Sequence, residues 1–166
     1  MNKNFLLGLG IVVSLGLTAC SNRCRVATAD ASSNASAESG VVPGSSDDFN
    51  VNASPKIYFD FDKSNLTSAG LNRAKTQATW LKTYPNTTAT VSGHTDERGT
   101  AEYNMALGAR RAESTKNAIV AEGVDAGRLT TISYGKDRPV AVVDPSNPVA
   151  ADAAHAQNRR TETTIN

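Results

Sequence analysis

Hydrophobic positions fall along this chain in three regimes. From Phe5 to Leu17 they form a run of 13 residues broken only by glycine and serine. From residue 20 to 54 they are sparse and follow no period. Beyond residue 55 short β-branched and aromatic runs alternate with stretches of helical spacing. Ile57 to Phe61 (IYFDF) predicts a strand. Leu71, Ala74, Ala78 and Leu81 recur at helical spacing. Ser64 or Thr67 can cap that helix, which runs to Tyr84, and Pro85-Asn86 ends it. Thr88 to Gly93 predicts a second strand. A second helix spans Ala101 to Glu122, with Thr100 as its cap and Gly123 as its stop. Leu129 to Gly135 reads as a third strand. A loop with Pro139, Pro145 and Pro148 follows and carries His155, and Arg160 to Ile165 reads as a last strand. Strands alternating with long helices imply α/β or α+β layers, with helices over one sheet.

The first two regimes describe delivery rather than fold. Residues 1–19 have a short polar start with Lys3, the apolar run, and small residues before Cys20, the layout of a secretory signal peptide. The run is shorter than the roughly 20 residues a membrane-spanning helix needs. Leu17 to Cys20 (LTAC) resembles the bacterial lipobox, in which cleavage falls between Ala19 and Cys20 and the cysteine is acylated. Ser21, where an aspartate would resemble the inner-membrane retention signal, favours the outer membrane. Cys24 is the only other cysteine, so an acylated Cys20 leaves no intramolecular disulfide. Residues 20–54 are too poor in large apolar side chains to offset the entropy of ordering and read as a flexible tether. Residues 55–166 are then the folded domain.

Charge removes one class of partner. The chain has 17 basic and 16 acidic residues, and losing Lys3 with the signal leaves 17 − 1 = 16 basic residues. No positive field remains to attract nucleic acid.

Candidate chemistry concentrates in GHTDERGTAEYNMALGARRA, Gly93 to Ala112. His94 to Thr100 is the turn between a strand end and a helix start, where polar groups and free backbone N–H groups converge. Asn104, Leu107 and Arg111 share a face of the following helix, and Arg110 lies about 100° off it. Asp96 in the turn can close the site. A carboxylate beside a guanidinium suits a zwitterion, with its carboxylate on the Arg111 fork and its ammonium on Asp96. The plainer alternative is an Asp96–Arg111 ion pair that fastens turn to helix. Glu102, Arg110, Glu113 and Lys116 read as solvated helix charges. Metal binding is poorly served, since His155 is the only histidine besides His94. Nucleophilic catalysis lacks a recognisable nucleophile–base motif, and no cofactor other than the lipid on Cys20 is expected.

IYFDFDKSNL, the Gly93–Ala112 stretch, SYGKDRP and NRR together closely resemble the OmpA-like peptidoglycan-binding domain family over Lys56 to Arg160. With the lipobox and tether in front, the chain resembles the lipoproteins of that family that act in the Tol-Pal system. The resemblance implies an α+β fold, a βαβαβ two-layer sandwich with a final strand and helices on one sheet. It implies non-covalent binding of peptidoglycan through the meso-diaminopimelate of the stem peptide, with Asp96 and Arg111 as ligand residues and Asn104 in support. It adds Phe61 and Asp62 to the same pocket and makes Asn158, Arg159 and Arg160 structural or peripheral. It also implies an outer-membrane anchor, a domain facing the periplasm, TolB-like partners, and a role in envelope integrity and cell division. The alternative from another class is an envelope hydrolase acting on wall peptide. Relatives end in a strongly apolar strand after NRR. Here the chain reads TETTIN, so the last strand is expected at a sheet edge or weakly held.

Overall fold

The structure is a computed structural model that describes residues 41–166. The signal sequence, Ala19, Cys20, Cys24 and the tether up to residue 40 lie outside the described residues.

The described chain begins earlier as a folded unit than its composition predicts. Ser46–Asn52, expected within the tether, forms helix α1. Ser45 caps it by accepting from the Asp48 backbone N–H. Phe49 is buried and meets the Trp80 ring edge-on at 5.0 Å. The Trp80 indole N–H donates to Asp48 Oδ2 at 2.9 Å, and the Gly44 backbone N–H donates to the same oxygen at 2.9 Å. One aromatic anchor and one satisfied carboxylate hold this turn down. Neither gives a periodic signal in a segment rich in serine and asparagine.

The remaining elements are β1 (Lys56–Tyr58), α2 (Ser68–Thr83), β2 (Ala89–His94), α3 (Ala101–Ala121), β3 (Leu129–Gly135), α4 (Pro148–Asn158) and β4 (Arg160–Ile165). A short 3-10 turn, Ala126–Arg128, precedes β3. The strands form one mixed sheet in the order β1-β4-β2-β3. β2 and β3 are parallel and joined by α3, while β4 runs antiparallel to both β1 and β2. Helices α2 and α3 pack together over the sheet. Ile57, Phe59, Ala74, Ala78, Leu81, Ala89, Ile119 and Leu129 form the core between them.

The last strand is interior, not an edge. Its alternation explains how a polar sequence can sit there. Thr161 and Thr163 point into the core and are buried, and Thr164 is exposed. Thr163 donates its hydroxyl to Gln77 Oε1 of α2 at 2.8 Å, and the Thr161 and Thr115 hydroxyls bond at 3.0 Å. A threonine whose hydroxyl is bonded packs as a β-branched core residue without an unmatched polar group.

Two further positions differ from the pattern. Leu71, expected on the buried face of α2, is 52% exposed, because that face is drawn by Gly70, Ala74, Gln77, Ala78 and Leu81. His155, expected in a loop, is buried on α4, which begins with Pro148 in its first turn after the Asn147 cap. Proline at a helix start is favourable because its missing N–H would be unpaired there anyway.

One contact fixes where α3 crosses the sheet. A Cβ on Gly93 would stand 1.9 Å from the Gly108 carbonyl oxygen, so β2 and α3 touch backbone to backbone. That approach brings the turn after β2 and the first half of α3 together.

Candidate functional site

The pocket opens where β1, β2 and α3 end or begin. β1 stops at Tyr58, three residues before its sequence pattern suggests. The chain then turns, with the Lys63 N–H on the Asp60 carbonyl at 3.2 Å and Asp62 at φ +56°. This turn lifts Phe61 and Asp62 out of the sheet plane. From the other side comes the loop from Thr95 to Thr100. Gly99, at φ +93°, lets that loop fold back onto α3. The Asn104 side chain donates to the Arg98 carbonyl at 2.8 Å and to the Thr100 carbonyl at 3.0 Å. Lys136 donates to the Gly99 carbonyl at 2.9 Å. Asn104 therefore shapes the loop rather than offering its amide N–H groups to a ligand.

Phe61, Asp62, Asp96, Asn104 and Arg111 all line this one pocket of about 230 Å³, together with Arg98 and Arg159. Tyr103 closes one side, its hydroxyl donating to Asp62. His94, from the same central stretch, lies elsewhere. Its ring stacks on Tyr134 at 5.4 Å and lines a different cleft, between Ser92, Arg138 and Arg160. Among the described residues no group of three or more His, Cys, Asp or Glu could hold a metal ion.

Arg111 is fully buried, and its guanidinium is held by the backbone. Nε donates to the Lys63 carbonyl at 2.8 Å, Nη1 to the His94 carbonyl at 2.9 Å, and Nη2 to the Asp60 carbonyl at 3.1 Å. The planar fork thus pins the turn after β1 and the end of β2. A guanidinium has five N–H donors, so each terminal nitrogen keeps a second one for a ligand. Burial lowers the Arg111 pKa to about 10, against the opposing pull of the nearby Asp96 charge. Arg111 is therefore still a cation at neutral pH.

Asp96 does not pair with Arg111. Its carboxylate Oδ2 takes the Arg98 guanidinium at 2.5 Å and Arg159 Nη1 at 3.3 Å, and Oδ1 takes the Arg98 backbone N–H at 3.3 Å. The simple turn-to-helix ion pair is thus not formed. Burial alone would raise the Asp96 pKa, but the hydrogen bonds from Arg98 and Arg159 outweigh it and hold the carboxyl below its ordinary range. The pocket presents an ionised carboxylate and a fixed guanidinium with spare donors, an arrangement able to read a zwitterion.

The NRR triplet divides among three environments. Asn158 holds the loop after β3, accepting from the Val140 and Ala141 N–H groups at 2.8 and 3.0 Å. Arg160 turns to the other cleft, near Glu162. Arg159, expected to be structural or peripheral, enters the pocket and joins Asp96. Arg98, Arg159 and Tyr103 are pocket residues that spacing missed. Arg98 lies in an irregular loop with no period. Arg159 is the C-cap of α4, immediately before β4, where neither helical nor strand alternation sets direction.

Residues 58–155 match the OmpA family. A peptidoglycan-associated lipoprotein of Agrobacterium fabrum is 40% identical over 157 residues, covering 95% of this chain and 85% of that one. One from Brucella melitensis is 39% identical over 160 residues, covering 96% and 91%. The crystal structure of the peptidoglycan-associated lipoprotein from Burkholderia pseudomallei superimposes with a TM-score of 0.62 at 36% identity, over 68% of this chain and 90% of that one. On the matched residues, the fold and these relatives, the chain belongs to the OmpA family, among the peptidoglycan-associated lipoproteins.

Proposed function

We propose that this chain is an outer-membrane lipoprotein that holds peptidoglycan without covalent bonds, gripping the diaminopimelate end of a stem peptide in the Asp96–Arg111 pocket. The observation that carries the reading is a buried guanidinium with unused N–H donors beside an ionised carboxylate, in a pocket sized for one small zwitterion. Diaminopimelate ends in an ammonium and a carboxylate on one carbon. Its carboxylate takes the free N–H groups of Arg111 and its ammonium takes Asp96. Phe61 and Asp62 close the mouth, and Asn104 keeps the loop in place. Binding alone breaks no bond, so the chain acts as a tether rather than a hydrolase.

The names of the relatives support peptidoglycan as the partner. An acyl chain on Cys20 provides the membrane end, with the domain facing the periplasm. TolB-like and other Tol proteins are the protein partners, and envelope integrity and cell division are the processes served. The test is co-sedimentation of the purified chain with sacculi, wild type against Asp96→Ala. Equal sedimentation of the two removes the pocket from the function. Release of soluble muropeptides by the wild type would instead support the hydrolase reading.

A further inference from the structure

We infer that Arg98 sets the selectivity of this pocket by standing in for the ligand's ammonium in the free protein. The inference rests on reading the pocket as a site for the diaminopimelate end of wall peptide. Asp96 is not a vacant anion: Arg98 and Arg159 share its Oδ2, and the Arg98 backbone N–H takes Oδ1. An incoming ammonium reaches the carboxylate only by replacing one of the two guanidinia.

The two are not held alike. Arg159 is anchored a second time, its Nε donating to the Phe59 carbonyl at 3.1 Å, and its side chain is 14% exposed. The Arg98 side chain is 42% exposed. Beyond Asp96, its guanidinium lies over the ring of Phe61, at 4.2 Å from the centroid, and Phe61 is itself exposed; among the described residues the guanidinium donates to no second acceptor, and Asp152 and Glu97 act on it only through their charge. Although its contact with Asp96 is the shorter of the two, Arg98 has the more exposed side chain and no second anchor for its guanidinium, and it is the cation that leaves.

This exchange changes what the pocket rewards. An ammonium entering at Asp96 trades one charge-assisted hydrogen bond for another, with little net gain. A stem with lysine in place of diaminopimelate brings only that ammonium at its side-chain end. A diaminopimelate end also brings a carboxylate, which meets the spare N–H groups of Arg111 and the released Arg98. Affinity then depends on the carboxylate, and a pocket that would accept any primary amine becomes one that requires both groups. Both ligands must break the Arg98–Asp96 bond, and only the one with a carboxylate regains a hydrogen bond from Arg98, which widens the difference between them.

The test measures binding of two muropeptides, identical except for diaminopimelate or lysine, to the mature chain by calorimetry. In Arg98→Met the side chain still covers Phe61 but carries no charge. The lysine peptide should bind this variant about tenfold tighter than wild type, the scale of one charge-assisted hydrogen bond. The preference for diaminopimelate should narrow by a similar factor. Arg98→Lys restores a cation and should restore the preference. A preference unchanged or widened in Arg98→Met overturns the inference while leaving the binding site intact. Wild type that binds both peptides equally overturns it as well. Wild type that binds neither overturns the peptide reading itself, and the selectivity role with it.

Discussion

Arg159 and Asp96 form an ion pair across 63 positions of sequence, Nη1 to Oδ2 at 3.3 Å, while Nε of the same arginine donates to the Phe59 carbonyl. One side chain thus ties the start of β4 to both walls of the pocket. Removing it leaves a buried carboxylate and a carbonyl each short of a donor. Arg159→Ala is expected to lower stability by about 1.5–3 kcal/mol, the range for hydrogen bonds to charged groups. Arg159→Lys should recover little, because a point ammonium cannot serve both acceptors. Urea unfolding of the three proteins decides this, and an Arg159→Lys midpoint equal to wild type would refute it.

Arg111 holds structure and, on the proposed function, recognition as well. Arg111→Ala strands the carbonyls of Asp60, Lys63 and His94 and should destabilise the domain by at least about 3 kcal/mol. Arg111→Lys should remain folded at a lower melting temperature and lose binding to sacculi, since the fork that meets a carboxylate is gone. Arg110→Ala is the matched control. Its guanidinium lies outside, 6.0 Å from the Tyr103 ring centroid, so both readouts should stay close to wild type. Normal sacculus binding by Arg111→Lys would remove Arg111 from the recognition site.

Helix α1 belongs to the domain. Phe49 is 1% exposed against Trp80, and Phe49→Ala should cost about 3–5 kcal/mol. A chain beginning at Lys56 lacks both Phe49 and Asp48 and should be destabilised at least as much. Thermal melts of the shortened and full domains test the boundary, and identical melting temperatures would place α1 outside the cooperative unit.

His94 makes stability depend on pH in a defined window. Burial, and then the charges of Arg160 and Arg138, lower its pKa from 6.5 to about 4. The folded chain keeps the ring neutral where the unfolded chain protonates it. The contribution is therefore fully present above pH 6.5 and is lost as pH falls towards 4, by about 3 kcal/mol across the window. Urea midpoints measured from pH 7 to 4.5 should fall in wild type and fall less in His94→Gln. Parallel slopes would assign the acid sensitivity to other groups.

Gly93 sits where no side chain fits. Its Cβ would meet the Gly108 carbonyl oxygen at 1.9 Å, and backbone cannot yield as a side chain can. Gly93→Ala should prevent α3 from docking, seen as loss of the cooperative melt. Gly108→Ala collides first with Ser133 Oγ at 2.4 Å, a movable atom, so Ser133→Ala should recover part of its loss. A normally folded Gly93→Ala would show that α3 can shift along the sheet.

Local chemistry alone determined much of this molecule. The cap at Thr100, the 3.6-residue period of α3 and the left-handed Gly123 bound that helix within the chain, and the same period puts Asn104 and Arg111 on one face. β3 and β4 follow from short β-branched runs flanked by glycine and asparagine. Asp96, Asn104 and Arg111 could be gathered from the turn and the helical period, whereas Phe61 and Asp62 join them only through the family resemblance. Only the tertiary structure decided what each polar group meets. Thr161 and Thr163 place β4 in the sheet interior because their hydroxyls find Thr115 and Gln77, 46 and 86 residues away. Asp96 is taken by Arg98 and Arg159, while Arg111 serves three carbonyls of the turn after β1 and the end of β2. Phe49 folds the end of the expected tether because Trp80 offers it a ring to pack against. Periodicity reports which side of an element faces inward. The energy of a buried polar or aromatic group depends on a distant partner, and that partner is chosen only when the chain folds.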